Sequence, residues 1–111
     1  MPTDLASMTR PRDWMRQSRL EGLVALVAGG GSGIGEETAR AIAANGGKVV
    51  VADIRRAAAD GVATAIDDAG GDALAVAMDV GQQADIDAAV AKTIEAYGRL
   101  DIVVNAAAAS I

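Results

Sequence analysis

The sequence predicts an α/β protein: a parallel sheet carrying helices on both faces, in the order β-α-β-α-β-α-β. Three observations predict it. Four short runs are apolar throughout, as strands buried on both faces of a sheet are. The segments between them place apolar residues at helical spacing. Glycines close each of those segments, where a helix must stop. Strands alternating with helices in this way build parallel sheets, and right-handed crossovers restrict the topology to a few arrangements.

Taken in order, residues 1–21 stand apart. They hold four of the ten basic residues, both prolines and the only tryptophan, with no clear period. They read as a mobile arm, with an oligomer-contact arm anchored by Trp14 as the alternative. Regular patterning begins at Gly22, so residues 22–111 are taken as the domain. "LVALVA" (Leu23–Ala28) is the first strand. Ile34, Thr38, Ala41, Ile42 and Asn45 follow helical spacing, with Ile34, Ala41 and Ile42 as apolar anchors, and "NGG" at 45–47 ends the helix. "KVVVAD" (Lys48–Asp53) is the second strand. Ala58, Val62, Ala65, Ile66 and Ala69 stripe a second helix, closed by Gly70 and Gly71. "ALAVAMDV" (Ala73–Val80) is the third strand. Ile86, Val90, Thr93, Ile94 and Tyr97 mark a third helix, ended by Gly98, and "LDIVVNA" (Leu100–Ala106) is the fourth strand.

Composition excludes several functions. The 111 residues carry a net charge of −5, which argues against nucleic acid, since phosphate contacts need a basic surface. Cysteine and histidine are both absent, which removes disulfides, thiolate catalysis and the usual zinc ligand sets. No apolar run reaches the roughly 20 residues of a membrane span, and residues 1–21 lack a signal-peptide core. A soluble, cytoplasmic protein is expected. With no Phe, one Trp and one Tyr, the core must be built from Ala, Val, Ile and Leu.

The chemistry lies between the first strand and the first helix, in Gly29-Gly30-Gly31-Ser32-Gly33-Ile34-Gly35. Glycine permits the backbone angles of a tight turn and lets the chain come close to a phosphate. The helix that follows presents free N–H groups and the positive end of its dipole, which suits a pyrophosphate. Asp53 ends the second strand, 18 residues after Gly35, where a carboxylate can accept hydrogen bonds from both hydroxyls of an adenosine ribose. The same carboxylate repels a 2′-phosphate, so NAD(H) is expected over NADP(H). Arg55 and Arg56 follow closely and could bind that phosphate, but Asp53 weighs more because it sits at the strand end while the two arginines can turn outward with the helix; Asp53 could also serve as a helix N-cap. A nucleoside-triphosphate loop is rejected: Gly30 to Gly35 has its glycine spacing, but Glu36 and Glu37 stand where Lys and Ser/Thr are needed.

Together, Gly29-x-x-x-Gly33-x-Gly35, Asp53, "MDV" at 78–80 and "GRLDIVVNAAA" at 98–108 resemble the short-chain dehydrogenase/reductase family over roughly Arg19–Ile111. The resemblance implies a Rossmann-like sheet. It implies that Gly29, Gly33 and Gly35, with the backbone of Gly31, Ser32, Gly33 and Ile34, hold the pyrophosphate of NAD, Ile34 backing the nicotinamide side. It implies that Asp53 holds the ribose, that Asp79 and Val80 meet the adenine edge, that Asn105 steadies the sheet beside the cofactor, and that Ala106 lines the adenosine ribose. For Asp79 the plain alternative is a helix-start acid, and for Asn105 a turn residue.

Three departures from the family pattern stand out. Ala28 occupies the place of a usual Thr, and Asn105-Ala106-Ala107-Ala108 replaces the usual Asn-Asn-Ala-Gly. Members also run to about 250 residues, and their catalytic Ser, Tyr and Lys would fall beyond residue 111. Here Tyr97 is followed four residues later by Asp101, not Lys, so no catalytic residue is assigned. The expectation is therefore a truncated βαβαβαβ half-domain that binds NAD, with a bare fourth strand prone to self-association or to pairing with a C-terminal-half partner. The alternative is a non-catalytic half-Rossmann module that pairs with another chain.

Overall fold

The computed structural model describes residues 19–107. The expectation for the N-terminal arm falls almost wholly outside the described residues. The elements are β1 (Val24–Ala28), α1 (Gly33–Ala44), β2 (Lys48–Asp53), α2 (Arg56–Asp68), β3 (Ala73–Ala77), α3 (Gln83–Tyr97) and β4 (Ile102–Asn105). All strand pairs are parallel, in the order β3-β2-β1-β4. This is the Rossmann-like arrangement that the alternation predicts.

Burial explains the strand composition. β1 is buried at every position and β2 at every position after Lys48, because helices cover both faces of the sheet centre. On one face α1 and α2 pack Ala39, Ala59, Val62, Ala63 and Ile66 against Val27, Val49 and Val51. On the other, α3 brings Ala89 onto Leu26, Ala28, Val50, Ala52 and Val76, with Ile86, Val90 and Tyr97 at the margin. Burying each valine contributes about 1.5–3 kcal/mol, so a core without phenylalanine stands on many moderate terms.

Register positions the functional end. Ala28 lies opposite Ala52 on one side and Asn105 on the other. The segments that leave β1, β2 and β4 therefore emerge side by side. From β1 the chain moves outward to β2 and β3, then returns past β1 to β4. Such a reversal opens a crevice at the carboxyl ends of the strands, where ligands of open α/β sheets bind.

Several boundaries and faces differ from the sequence expectation. The inward face of α1 is Gly35 and Ala39, with Ile42 and Ala43 packed against the core. Ile34 is 78% exposed and Ala41 also faces outward. The α1 packing face is built from small residues, which let helix and sheet approach closely. In α3 the buried positions are Ala89 and Thr93, while Ile94 faces solvent. β3 ends at Ala77; the Met78 N–H still donates to the Asp53 carbonyl at 3.0 Å, and Met78-Asp79-Val80 form the lip of the crevice. β4 starts at Ile102; Asp101 before it already meets β1, its N–H donating to the Val24 carbonyl and its carboxylate accepting the Val24 N–H, each at 2.9 Å.

The helices end as the glycines predict. Gly46, Gly70 and Gly98 all have positive φ, and the N–H groups of Gly47 and Gly71 return to the carbonyls of Ile42 and Ile66. At the amino end of the sheet, the Tyr97 hydroxyl donates to Asp72 at 2.8 Å, and Lys48 Nζ lies 5.4 Å from its ring centroid. Burial, and then the Asp72 carboxylate, push the Tyr97 hydroxyl well above its ordinary pKa. Among the described residues, no helix is long and apolar enough to cross a membrane.

Candidate functional site

The glycine loop is built by close approach. Gly29 and Gly30 both donate to the Ala52 carbonyl, which folds the chain back over the end of β2. A Cβ on Gly29, whose φ is +75°, would sit 2.6 Å from the Ala107 nitrogen. A Cβ on Gly35 would collide with the Gly29 carbonyl oxygen, so only glycine lets α1 begin directly against the loop. Gly33 is different. Its φ is +57°, yet a Cβ there would meet nothing within 4 Å. Its glycine serves the left-handed turn and leaves open space above the helix start.

That open space faces an electropositive helix end. Ser32 is the N-cap of α1, but its hydroxyl makes no capping bond. The first-turn N–H groups of α1 thus keep no internal acceptor. Backbone N–H groups and a helix dipole together form an anion seat. The Ser32 hydroxyl is instead engaged by Arg55, whose Nη2 donates to it at 2.9 Å.

Asp53 sits at the end of β2 with only 7% of its side chain exposed. One carboxylate oxygen accepts the Gly31 N–H at 3.0 Å, and the other accepts the Arg55 N–H at 2.9 Å. The carboxylate therefore clasps the glycine loop to the second strand. It is not the cap of α2, since Arg55 holds that position and no side chain caps the helix. Of the two arginines, Arg56 turns outward and pairs with Asp60. Arg55 does not: its guanidinium folds back between Ser32 and Asp53, with Nε 3.5 Å from an Asp53 oxygen.

These groups line a crevice of about 400 Å³ formed by Gly29, Ser32, Asp53, Ile54, Arg55, Met78, Asp79, Val80, Ala106 and Ala107. Six of the residues expected from sequence are thus brought to one cavity: Gly29, Ser32, Asp53, Asp79, Val80 and Ala106. Gly31, Gly33, Gly35 and the exposed Ile34 lie outside the lining, Gly35 buried beneath the Gly29 carbonyl. Asn105 also lies outside it, and its side chain accepts the Ala107 N–H at 3.1 Å, shaping the turn that carries Ala106 and Ala107 inward. Asp79 accepts the Gly81 N–H at 2.8 Å, while its own N–H is held by Asp85. Sequence reading missed Ile54, Met78 and Ala107. The signal for Ile54 was present, since an apolar residue directly after the buried acid is left 67% exposed.

The cavity walls suit a dinucleotide. There is an anion seat at a helix start, a fixed carboxylate at the neighbouring strand end, and apolar lining from Ile54, Met78 and Val80. The short chain dehydrogenase family profile matches residues 23–111. The chain belongs to the short-chain dehydrogenase family. Among its relatives, a 2,5-dichloro-2,5-cyclohexadiene-1,4-diol dehydrogenase (LinX) of Sphingobium indicum is 43% identical over 90 residues, covering 81% of this chain and 36% of the relative. A 7α-hydroxysteroid dehydrogenase solved with NADH and 7-oxoglycochenodeoxycholic acid superposes with a TM-score of 0.78 at 38% identity, over 81% of this chain and 35% of that one. A 3-ketoacyl-(acyl-carrier-protein) reductase of Brucella melitensis, complexed with NADH, gives 0.70 at 49% identity, over 76% and 33%. The short-chain dehydrogenase chain described here thus spans about a third of the length of these relatives.

Proposed function

We propose that residues 22–111 are the NAD(H)-holding portion of a short-chain dehydrogenase. In such an enzyme a hydride passes between the nicotinamide ring and an alcohol or carbonyl substrate. The observation that carries the reading is the Asp53 clasp: a nearly buried carboxylate fixed to the Gly31 N–H, beside the uncapped start of α1.

The geometry supports the following roles. The first-turn N–H groups of α1 and the open face at Gly33 bind the pyrophosphate. Asp53 accepts from the adenosine ribose hydroxyls, exchanging the Arg55 contact for them. Ile54, Met78 and Val80 exclude water from the adenine faces, and Asp79 accepts from its amino group. Ala106 and Ala107 floor the crevice, and Ile34 and Asn105 act at its margins. The chain's own tyrosine is no proton donor for this reaction. Tyr97 is bound to Asp72 at the far end of the sheet, with its proton held more tightly than in water. No residue of 22–111 is assigned a catalytic role.

Asp53 repels a 2′-phosphate while the Arg55 guanidinium, 3.5 Å from it, attracts one; with Asp53 fixed at the strand end, NADH is the proposed ligand. Titration calorimetry with NADH and NADPH tests this. NADH binding about tenfold or more tighter corresponds to at least ~1.4 kcal/mol of discrimination. Equal affinities would remove the preference, and no heat with either ligand would remove the reading. A second reading has one observation behind it. β4 is an end strand among the described residues, with Val103 64% exposed, so the chain would act by pairing through that edge with a copy of itself or with a C-terminal-half partner. Association without nucleotide binding would select it.

A further inference from the structure

The stop after α1 is written Asn45-Gly46-Gly47, and the cofactor reading uses it only as a turn. Asparagine followed by glycine is also a chemically labile pair. The side-chain carbonyl carbon can close a five-membered ring with the next backbone nitrogen, and glycine has no side chain to shield that nitrogen. The sequence holds one other asparagine, Asn105, and its neighbour Ala106 carries a methyl group.

We propose that Asn45-Gly46 is a self-modification site, shut while the end of α1 is formed and exposed to reaction when that end frays. The Gly46 nitrogen gives its proton to water and bonds to Asn45 Cγ. The Cγ–Nδ2 bond breaks, and ammonia leaves with a proton taken from water. Water then opens the succinimide at one of its two carbonyls. The product is aspartate, or an isoaspartate whose main chain runs through Cβ. No oxidant or reductant takes part.

The fold holds the reacting atoms apart. Asn45 Nδ2 donates to the Ala41 carbonyl at 2.8 Å, which draws the amide back along the helix. The Gly46 N–H donates to the Ala43 carbonyl at 3.0 Å, which keeps its proton in place. Asn45 has ψ 15°, and this turns the Gly46 nitrogen away from the Asn45 side chain. The protection is local, because Asn45 is exposed and these are the last bonds of the helix. Fraying ends open with far less free energy than the whole domain. Reaction then makes the opening permanent. Aspartate has no donor for the Ala41 carbonyl, and it sets a negative charge against the helix dipole where the last turn has no basic residue. Isoaspartate also lengthens the main chain just before Lys48, whose N–H donates to the Leu23 carbonyl where β1 and β2 begin to pair.

Trypsin cuts after Arg40 and Lys48, so the fragment 41–48 isolates Asn45. Mass spectrometry and isoaspartyl-methyltransferase labelling of that fragment follow its conversion. In mildly alkaline buffer the 111-residue chain should convert several-fold more slowly than the synthetic peptide 41–48. The rate should stay flat in urea below the unfolding transition, because fraying exposes little surface. Asn45→Asp is the product without the lengthened chain, and its amide exchange at Gly46 and Gly47 should be several-fold faster than in the parent. Four results would each overturn the proposal: conversion as fast as in the peptide, no conversion over many peptide half-lives, a rate that climbs with urea along the global m-value, or unchanged exchange in Asn45→Asp. The third would show that only unfolding of the whole domain exposes the pair.

Discussion

Replacing Asp53 with asparagine separates the structural task of this carboxylate from its ligand task. Asp53 accepts two backbone N–H bonds, from Gly31 and from Arg55, and lies beside the Arg55 guanidinium. Asparagine is nearly the same size, but only one of its two terminal atoms accepts. One N–H keeps its partner, while the other faces an amide NH2 and is left without an acceptor in a part-buried site. A hydrogen bond to a charged group contributes about 1.5–3 kcal/mol net, so Asp53→Asn should cost about 2 kcal/mol. For a domain of this size that is a fall of roughly 8–16 °C in melting temperature. Urea unfolding followed by circular dichroism gives the quantity, and an unchanged m-value shows that the change is one of stability. A loss under about 0.5 kcal/mol would refute the clasp. The glycine loop would then hold its shape without Asp53, and the carboxylate would be free to serve a ligand alone.

Other outcomes follow from single features. Gly35→Ala drives a methyl group into the Gly29 carbonyl, a backbone atom that no rotamer change can move; it should cost about 3 kcal/mol and abolish NADH binding, measured by urea unfolding and calorimetry. The Tyr97 hydroxyl has its pKa raised from 10.0 in the fold, so the stability it contributes is full below that value and lost as pH rises above it. Tyr97→Phe should therefore flatten the alkaline limb of a stability-against-pH curve and lower stability at neutral pH by about 1 kcal/mol. Val103→Lys should leave the fold intact and, if β4 is the associating edge, weaken self-association about tenfold, from ~1.5 kcal/mol of lost burial; sedimentation equilibrium reads it.

The strands, the helix stops and the tight glycine turn after β1 were legible in the sequence because each has a local cause. The apolar runs of β1 and β2 sit at the centre of the covered sheet, those of β3 and β4 lie at its ends and are only partly buried, and glycines after helical stripes mark the turns. Asp53 could be placed because a strand end has a fixed address relative to the preceding helix. The packing face of α1 was misread because Gly35 and Ala39 carry no apolar weight, while Ile34, the large residue nearby, points away from the core. The lip at Met78-Asp79-Val80 was read as strand because its composition continues that of β3, although only the Met78 N–H continues its pairing. Arg55 was expected outside because helical direction alone places it there. Its return to Ser32 and Asp53 depends on two groups distant in sequence.

Strand order also sets an order in time. β2 reaches β1 through a single helix, whereas the Asp101 bond to the Val24 N–H closes 77 residues of chain. A loop roughly three times longer costs only about 1 kcal/mol more to close, but that cost falls before any β1–β4 pairing repays it. β1 and β2 should therefore meet early, and β4 should join late. Ala106 and Ala107 arrive with β4. The floor of the crevice is thus assembled last, and competence to hold a ligand becomes a report that the whole sheet has formed.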